Sequence, residues 1–463
     1  MAIRDVLRRR SAAPLGPGFG ALIGDLDGPI GRISPSGVVC LGDQSCKIEW
    51  GVRCADRWRL AHEERAVRQN RVDDTPVYET WLRVPGGDVI QRVAVLNDGR
   101  GRSIVVEYEN DSAEAVMVAT VGRAAKSVEA SLECVVVGSS EWIRPQRPAG
   151  AVAVSSDIWA AVTSDAGSAD AAGHGDVAML HALPHRQKLV VVVGIEGQLP
   201  SRPLRPTDAA AGWRTVTARS LQVEVPDLEL TAAWRRIVCD LILAAGDTDV
   251  VAAGEAAWWL DLAGLHDEAD RARRTVLDAC DRGQLTADGA VVALRALASR
   301  DLRTAEPSGL DELAGPLVRV AGSMLDRETA SIVARALEIS WPKGAADALR
   351  LLDDLTVERR SDSSLVAAAA ANVLGSLFRD GRSSRTIQML PEVPAAWDGQ
   401  PIDVRGLATG LGTLSFSVRW HGDRPAALWE RVGGPDDVMI ACGGFGNDWS
   451  TNERNGEALL DRR

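Results

Sequence analysis

The sequence predicts a multidomain α and β protein with an N-terminal β-sandwich, a central domain of α/α hairpins and a small C-terminal β-domain. The spacing of apolar residues in three segments leads to this prediction. Residues 15–196 contain short runs of β-branched residues between turn residues, which is typical of strands. Residues 229–380 place apolar side chains three and four positions apart, which indicates helices, and residues 381–445 return to the alternation of strands.

The N-terminal strands follow one another without intervening helices, and this pattern favours a sandwich. Residues 89–96 and 103–109 are two such strands. The residues Asn97-Asp98-Gly99 between them predict a hairpin, because Asn, Asp and Gly tolerate the positive φ of a tight turn. Residues 190–193 are continuously apolar, as expected for a strand that is buried on both faces.

Residues 197–228 are predicted to be a linker, because Pro200, Pro203 and Pro206 remove backbone donors and prevent helix continuation. About eight helices are predicted after it, separated by short breaks such as Gly264-Leu265. Each helix is too short to be stable alone, and short connections make consecutive helices antiparallel neighbours. Repeated hairpins of this kind form either an open solenoid or a closed toroid.

The C-terminal domain is predicted from one clear hairpin. Residues 414–420 alternate apolar and polar side chains, residues 421–425 form a turn, and residues 427–429 begin the return strand. The polar, Asn- and Gly-rich residues 446–463 are expected to be a loosely ordered tail.

Composition narrows the class of protein. The chain has 52 Lys and Arg against 64 Asp and Glu, a net charge of −12 without a basic stripe, which argues against nucleic-acid binding. Neither a membrane-spanning run nor the apolar core of a secretory signal is present. Seven cysteines without paired spacing predict reduced thiols, so a soluble, cytoplasmic protein is expected.

No cofactor or metal site is predicted. The sequence contains no dinucleotide fingerprint, P-loop, zinc-protease, serine-hydrolase or kinase signature. His181 and His185 are four residues apart, but Pro184 between them excludes one helical face that carries both.

Several segments resemble one known family. In the C-terminal part these are residues 412–416 (Gly-Thr-Leu-Ser-Phe), 419–425 (Arg-Trp-His-Gly-Asp-Arg-Pro) and 428–430 (Leu-Trp-Glu). In the N-terminal part they are residues 56–58, 72–80 and 83–88, and in the helical part residues 284–289. Together with the order of the domains, they resemble the six-hairpin glycosidases with a maltose-phosphorylase-like layout, in actinobacterial relatives. The resemblance implies a toroid-like helical domain and an activity on a small α-linked glucoside, by hydrolysis or phosphorolysis.

Glu255 and Asp288 are the candidate catalytic carboxylates, because inverting glycosidases need one general acid and one base that activates water. Glu255 lies in an otherwise uncharged stretch, in which Trp258 and Trp259 could supply an apolar wall and a platform for a sugar ring. Asp288 lies in a turn before Gly289, and Asp261 and Asp267 are weaker candidates. The alternative interpretations are a solvent-facing Glu255 on an amphipathic helix and a turn-forming or helix-capping Asp288.

Trp58 and His62 are further candidates for substrate binding, if a loop of the N-terminal sandwich leans over the helices. Fourteen Trp against four Phe and two Tyr agree with sugar recognition, although Trp can equally fill a core. The alternative function is a non-catalytic, toroid-like scaffold that binds a sugar or a protein partner, because about 150 residues are few for the twelve helices of a full catalytic toroid. A weaker alternative is an open helical-repeat adaptor. A small carbohydrate is the expected ligand, and a protein partner or a homo-oligomer is compatible with the sequence.

Overall fold

The computed structural model describes residues 20–42, 46–55, 57–123, 127–165, 167–200, 202–351, 355, 364–381, 385–445 and 449–461. The chain divides into two compact units, Met1–Arg214 and Thr215–Arg463. Within the described residues, no helix combines the length and the apolar character that crossing a membrane requires.

The first unit consists mainly of strands. In chain order they are β1 (Ala21–Asp25), β2 (Gly28–Ile33), β3 (Val39–Leu41), β4 (Cys46–Cys54), β5 (Arg57–Leu60), β6 (Val67–Arg71), β7 (Tyr78–Val84), β8 (Gly87–Asn97), β9 (Gly101–Asn110), β10 (Val116–Arg123), β11 (Ser127–Ser131), β12 (Val135–Val137), β13 (Ser140–Pro145), β14 (Ala151–Ser155), β15 (Asp170–His174), β16 (Asp176–Leu183) and β17 (Lys188–Gly197). One sheet has the order β1-β2-β3-β4-β10-β16-β14, with β5 beside β4, and the other has the order β15-β11-β12-β13-β17-β9-β8-β7-β6.

The two sheets share one core, which confirms the predicted β-sandwich. The rings of Trp50 on β4 and Tyr108 on β9 come from different sheets, and their centroids are 5.8 Å apart. Strands β8 and β9 pair in antiparallel register from Val89↔Asn110 to Asn97↔Arg102, so the hairpin prediction is also confirmed. Gly99 in the turn has a φ of 79°, and its N–H donates to Asn97 Oδ1 at 2.9 Å.

Two helices accompany the sandwich, α1 (Ile158–Thr163) and α2 (Pro206–Thr217). Helix α2 lies inside the segment that was expected to be a linker. Pro206 is its first residue, where a missing N–H costs no helical hydrogen bond, and alanines follow. Ala209 and Ala210 pack with Ala94 of the second sheet and with Val77, the residue before β7. Pro206 therefore begins a helix that covers part of this sheet.

The helical domain of the second unit has eight described α-helices, in agreement with the predicted number. They are α3 (Leu228–Ala245), α4 (Val250–Leu262), α5 (His266–Asp281), α6 (Ala287–Thr304), α7 (Leu310–Ala321), α8 (Arg327–Ser340), α9 (Pro342–Arg350) and α10 (Leu365–Leu377). Side chains of Asp227, Asp249, Thr286, Asp326 and Ser364 cap five of these helices by accepting hydrogen bonds from the first-turn N–H groups.

These helices pack as hairpins, as the sequence predicted. Consecutive helices from α3 to α9 are in contact, and α4 also packs on α6, which packs on α8. The contact between α4 and α6 is close, because a Cβ atom on Gly254 would lie 2.7 Å from a methyl group of Val292. Helix α10 returns to α3 and α4 at the start of the row. This return contact is in keeping with the toroid-like arrangement that was expected.

The C-terminal β-domain contains two sheets. The five-stranded sheet has the order β18 (Gln222–Glu224), β21 (Ile402–Thr409), β22 (Gly412–His421), β23 (Arg424–Val432) and β26 (Asn455–Leu459), and the four-stranded sheet has the order β19 (Phe378–Gly381), β20 (Thr386–Met389), β24 (Met439–Cys442) and β25 (Ser450–Thr451). The fold class predicted from the sequence is therefore confirmed in its three parts.

Two elements of this domain differ from expectation. Strand β18 comes from the predicted linker, before the helices, and pairs with β21, which follows them. Strand β26 lies in the predicted tail and pairs with β23 from Ala426↔Leu459 to Glu430↔Asn455. Both are short edge strands with polar side chains on one face, so their sequences resemble loops, and only the partner strand stabilises them.

Candidate functional site

A cavity of about 510 Å³ lies in the second unit, between the helices and the C-terminal β-domain. The C-terminal ends of α4 and α6 and one face of α8 line it on the helical side. The turn between β21 and β22 and the residues after β23 line it on the other side. Trp258 contributes the aromatic surface, and the polar surface includes Asp261, His266, Arg303, Arg335 and Glu338.

Asp261 is the best-connected polar residue of the cavity. It is 4% exposed, and its Oδ2 accepts a hydrogen bond from Ser299 Oγ at 2.5 Å and another from Arg273. Its Oδ1 lies 3.3 Å from Arg303 Nε and 3.3 Å from His266 Nδ1. Two guanidinium groups therefore compensate the buried carboxylate, as a buried charge requires.

His266 is the first residue of α5 and reaches Asp261 across the break between α4 and α5. Burial, and after it the positive charge of Arg303, lower the pKa of His266 below its ordinary value, although Asp270, Asp267 and Glu268 act in the opposite direction. The imidazole is therefore neutral at pH 7.

Glycines form the wall that the β-domain supplies. Gly410 and Gly412 lie at the β21–β22 turn, and Gly433 and Gly434 follow β23. Gly434 has a φ of +70°, and a Cβ atom there would lie 2.0 Å from the Leu411 carbonyl oxygen, so a larger residue would displace the backbone. Arg335 of α8 donates to the Gly410 carbonyl oxygen at 3.4 Å and connects the helical side to this wall.

The structure places the candidates on α4 in different surroundings. Trp258 lines the cavity and is itself 6% exposed. Glu255, one turn earlier, is 6% exposed and accepts a hydrogen bond at 2.9 Å from the N–H of Ser364, where α10 begins. Trp259 is 3% exposed and is part of the core. A solvent-facing Glu255, the alternative interpretation from the sequence, is therefore wrong.

Asp288 is the exposed second residue of α6, after the capping residue Thr286, whose Oγ1 accepts from the N–H of Gly289 at 3.1 Å. Arg303 of the cavity lies fifteen residues further along the same helix, roughly 22 Å away at 1.5 Å per residue. The structure therefore does not bring Asp288 to this cavity.

Trp58 and His62 belong to a cluster in the first unit. Trp58 on β5 packs with Ile158 and Trp159 of α1, and the rings of His62 and Trp159 are 6.1 Å apart. The indole N–H of Trp159 donates to Glu49 at 2.8 Å. Asp56, the first residue of the motif that contains Trp58, lies outside the described residues.

Arg123 compensates the negative charge of Glu49 in this cluster. Its guanidinium donates to both carboxylate oxygens of Glu49, at 2.7 and 3.0 Å. Burial alone would raise the pKa of Glu49, but the hydrogen bonds from Arg123 and Trp159 outweigh it, and the pKa is lowered. Glu49 is thus a paired structural carboxylate in a group that also holds His62 and Trp58.

Sequence reasoning ranked Asp261 below Glu255 and did not single out His266, Ser299, Arg303 or Arg335. One signal was present, because Asp261 and His266 flank the helix break at Gly264-Leu265, which can turn the chain back on itself. Among the described residues, no group of His, Cys, Asp and Glu side chains is arranged to hold a metal ion.

No protein-family model and no curated protein sequence matches this chain. Three solved structures are similar to it in part. A bacterial glucoamylase complexed with acarbose is 9% identical, with a TM-score of 0.49 over 80% of this chain and 70% of that chain. A putative kojibiose phosphorylase from human microbiome is 7% identical, with a TM-score of 0.31 over 86% of both chains. A TPR-domain containing protein from Parabacteroides distasonis is 12% identical, with a TM-score of 0.15 over 71% of this chain and 75% of that chain. Because all three TM-scores are below 0.5, these similarities establish neither the family nor the function of this chain.

Proposed function

We propose that the protein is a glycosidase-like, carbohydrate-binding protein and that the cavity of the second unit is its sugar site. The observation that carries the proposal is the combination of Trp258 with hydrogen-bonding side chains around one space of about 510 Å³. This volume lies within the range of small-molecule sites, which is about 300–1,000 Å³. An indole stacks on the C–H face of a sugar ring, and guanidinium, carboxylate and imidazole groups bind its hydroxyl groups.

The finer proposal is hydrolysis or phosphorolysis of a small α-linked glucoside, which needs two carboxylates. Asp261 and Glu338 are the carboxylates that line the cavity. Asp261 is held by Ser299 and two arginines, which suits ligand binding and charge compensation. Glu338 is exposed on α8 and is the carboxylate better placed to exchange a proton with a substrate.

The second candidate function is the non-catalytic scaffold that binds a sugar. Its support is the contact of Glu255 with the start of α10, which gives this carboxylate a structural role. The two functions share the ligand and differ in turnover. Glu255 and Asp288 remain proposals as catalytic residues, and variants of these two positions test them.

Isothermal titration and thermal unfolding with glucose, maltose and kojibiose, each with and without phosphate, test the proposal. A ligand at 100 times its Kd adds about 2.7 kcal/mol to the free energy of unfolding, which raises Tm by a few degrees. We expect at least one sugar to produce this shift in the wild type and in Glu312→Gln, an exposed variant on α7. We expect Glu338→Gln to weaken binding of that sugar at least fivefold. A flat response to every sugar would overturn the proposal, and turnover of a bound sugar would favour the enzyme over the scaffold.

A further inference from the structure

We propose that Asp261 orients His266 so that its Nε2 atom accepts a hydrogen bond from a hydroxyl group of the bound ligand. The inference rests on the proposed function, because it assumes that the ligand carries hydroxyl groups. It assigns Asp261 the role of a positioning residue and His266 the role of a ligand-binding residue. Neither role follows from the carboxylate pair that a glycosidase requires.

The two carboxylate oxygens of Asp261 have different partners. Oδ2 is taken by Ser299 and Arg273, whereas Oδ1 is the atom 3.3 Å from His266 Nδ1. A carboxylate only accepts hydrogen bonds, so a bond between these atoms requires the proton on Nδ1. In the neutral imidazole, Nε2 then keeps its lone pair and can only accept.

The surroundings of the His266 imidazole favour its neutral form. Arg303 of α6 contacts the same oxygen of Asp261, and partial burial also disfavours the imidazolium. The carboxylate of Asp261 opposes this effect, but Arg273 and Arg303 compensate its charge. Glu268 and Asp270 also oppose it, but Glu268 is paired with Arg219 at 2.9 Å and Asp270 is paired with Arg273 and Arg303. The remaining charged groups of the cavity and of the first turn of α5 are Asp267, Arg335, Glu338 and Arg385.

The side chains around the cavity show why an acceptor such as His266 Nε2 would help to bind a sugar. Arg303, Arg335 and Arg385 line the space and carry donors only. A sugar hydroxyl both donates and accepts, so each hydroxyl also needs an acceptor, and a buried donor without a partner costs about 1–3 kcal/mol. The carboxylates of the cavity are Asp261, which already accepts from several side chains, and the exposed Glu338. His266 adds an acceptor on the side of the ring opposite Asp261.

Long-range ¹⁵N–¹H NMR spectra of the imidazole rings test the tautomer without any ligand. The protein has six histidines, and His266→Gln identifies the signal of His266. At pH 7.5 we expect the proton of His266 on Nδ1. A proton on Nε2, or a doubly protonated ring at this pH, would overturn the inference.

Calorimetric titration with maltose tests the contact with the ligand. We expect His266→Gln to lower the affinity at least tenfold and His421→Gln, a change at an exposed turn outside the cavity, to leave it unchanged. Equal affinities of wild type and His266→Gln would refute the ligand contact. If wild type binds no maltose, glucose or kojibiose, the proposed function fails, and the NMR result still decides the orientation of His266 independently.

Discussion

Single residues of α4 show how far a side chain's role depends on distant parts of the chain. Trp258 and Glu255 are three positions apart, yet one lines the cavity and the other contacts Ser364, which is 109 residues further along. A negative charge near the start of a helix is favourable, because the N-terminal end of the helix dipole is positive. Glu255 therefore stabilises α10 in addition to any role in catalysis.

Glu255→Gln should lower the free energy of unfolding by about 1 kcal/mol, because the charge at the start of α10 is lost. Urea unfolding measures this change, and Glu457→Gln, an exposed change on β26 and not at a helix start, is the control with no expected effect. If Glu255 were a general acid without a structural role, this variant would lose all turnover at unchanged stability.

Because His181 is buried, we expect the free energy of unfolding of the protein to fall in acid. The side chain is 2% exposed on β16, and burial lowers its pKa from the ordinary value of 6.5 to about 4, with a small opposing effect from the backbone of Arg147. The unfolded chain then binds the proton more tightly than the folded chain, so stability is complete above pH 6.5 and falls between pH 6.5 and about 4. The loss over this interval should be about 3 kcal/mol at 1.36 kcal/mol per pH unit.

Urea unfolding of wild type and His181→Leu at pH 7.5 and pH 4.5 measures this effect. The leucine cannot be protonated, so the stability difference between the two pH values should be smaller in the variant by most of that amount. Identical pH dependence in the two proteins would show that other groups cause the acid sensitivity.

At the scale of elements, the sequence predicted helices and hairpins where local chemistry determines them. The β8–β9 hairpin depends on Asn97, Asp98 and Gly99, which are adjacent in the chain. The capping of α6 by Thr286, rather than by Asp288, is also a local choice, but two polar residues compete for it and sequence alone does not rank them. Strand β26 could not be predicted, because its order depends on pairing with β23.

Helix caps in this domain differ in burial, and their contributions to stability should differ accordingly. Asp326 is 0% exposed and accepts from the Thr329 N–H at 2.8 Å, from Thr329 Oγ1 at 3.0 Å and from Arg295 at 3.1 Å. Asp326→Ala removes the cap of α8 and leaves the guanidinium of Arg295 buried without this partner, so we expect a loss of about 3–5 kcal/mol. Asp249→Ala removes an exposed cap of α4 and should cost only about 1 kcal/mol. Urea unfolding of both variants checks the difference, and equal losses would contradict it.

At the scale of the whole molecule, the order of domains could be predicted, because each type of element has its own apolar period. The contact that joins the strands before and after the helical domain could not be predicted. The pairing of Gln222 with Arg405 joins positions on either side of the helical domain, and no local pattern indicates such a contact. The cavity depends on the same long-range arrangement, because α4, α6, α8 and the turn between β21 and β22 contribute to it. Its residues could be listed as polar or aromatic from the sequence, but not brought together.

A disulfide across this pair tests the connection. Gln222→Cys with Arg405→Cys places two exposed cysteines directly opposite each other, about 4.5–5.5 Å apart, and should oxidise readily. The bond closes a loop that contains α3 to α10 and should add roughly 2–5 kcal/mol to the free energy of unfolding. Mass spectrometry and urea unfolding with and without reductant measure both effects. The diagonal pair Glu224→Cys with Arg405→Cys, roughly 7–8 Å apart, is the control and should crosslink poorly.

The pairing of β18 with β21 also has a consequence for biosynthesis. Strand β18 ends at Glu224 and its partner begins at Ile402, so the ribosome adds the whole helical domain before the partner exists. At about 5–20 residues per second this interval lasts roughly 10–35 seconds. Helix formation takes microseconds, so α3 to α8 can form while β18 still lacks its neighbour. The C-terminal sheet is therefore completed after the helices are in place, and the cavity between them is finished only once the residues that follow β23 have been added.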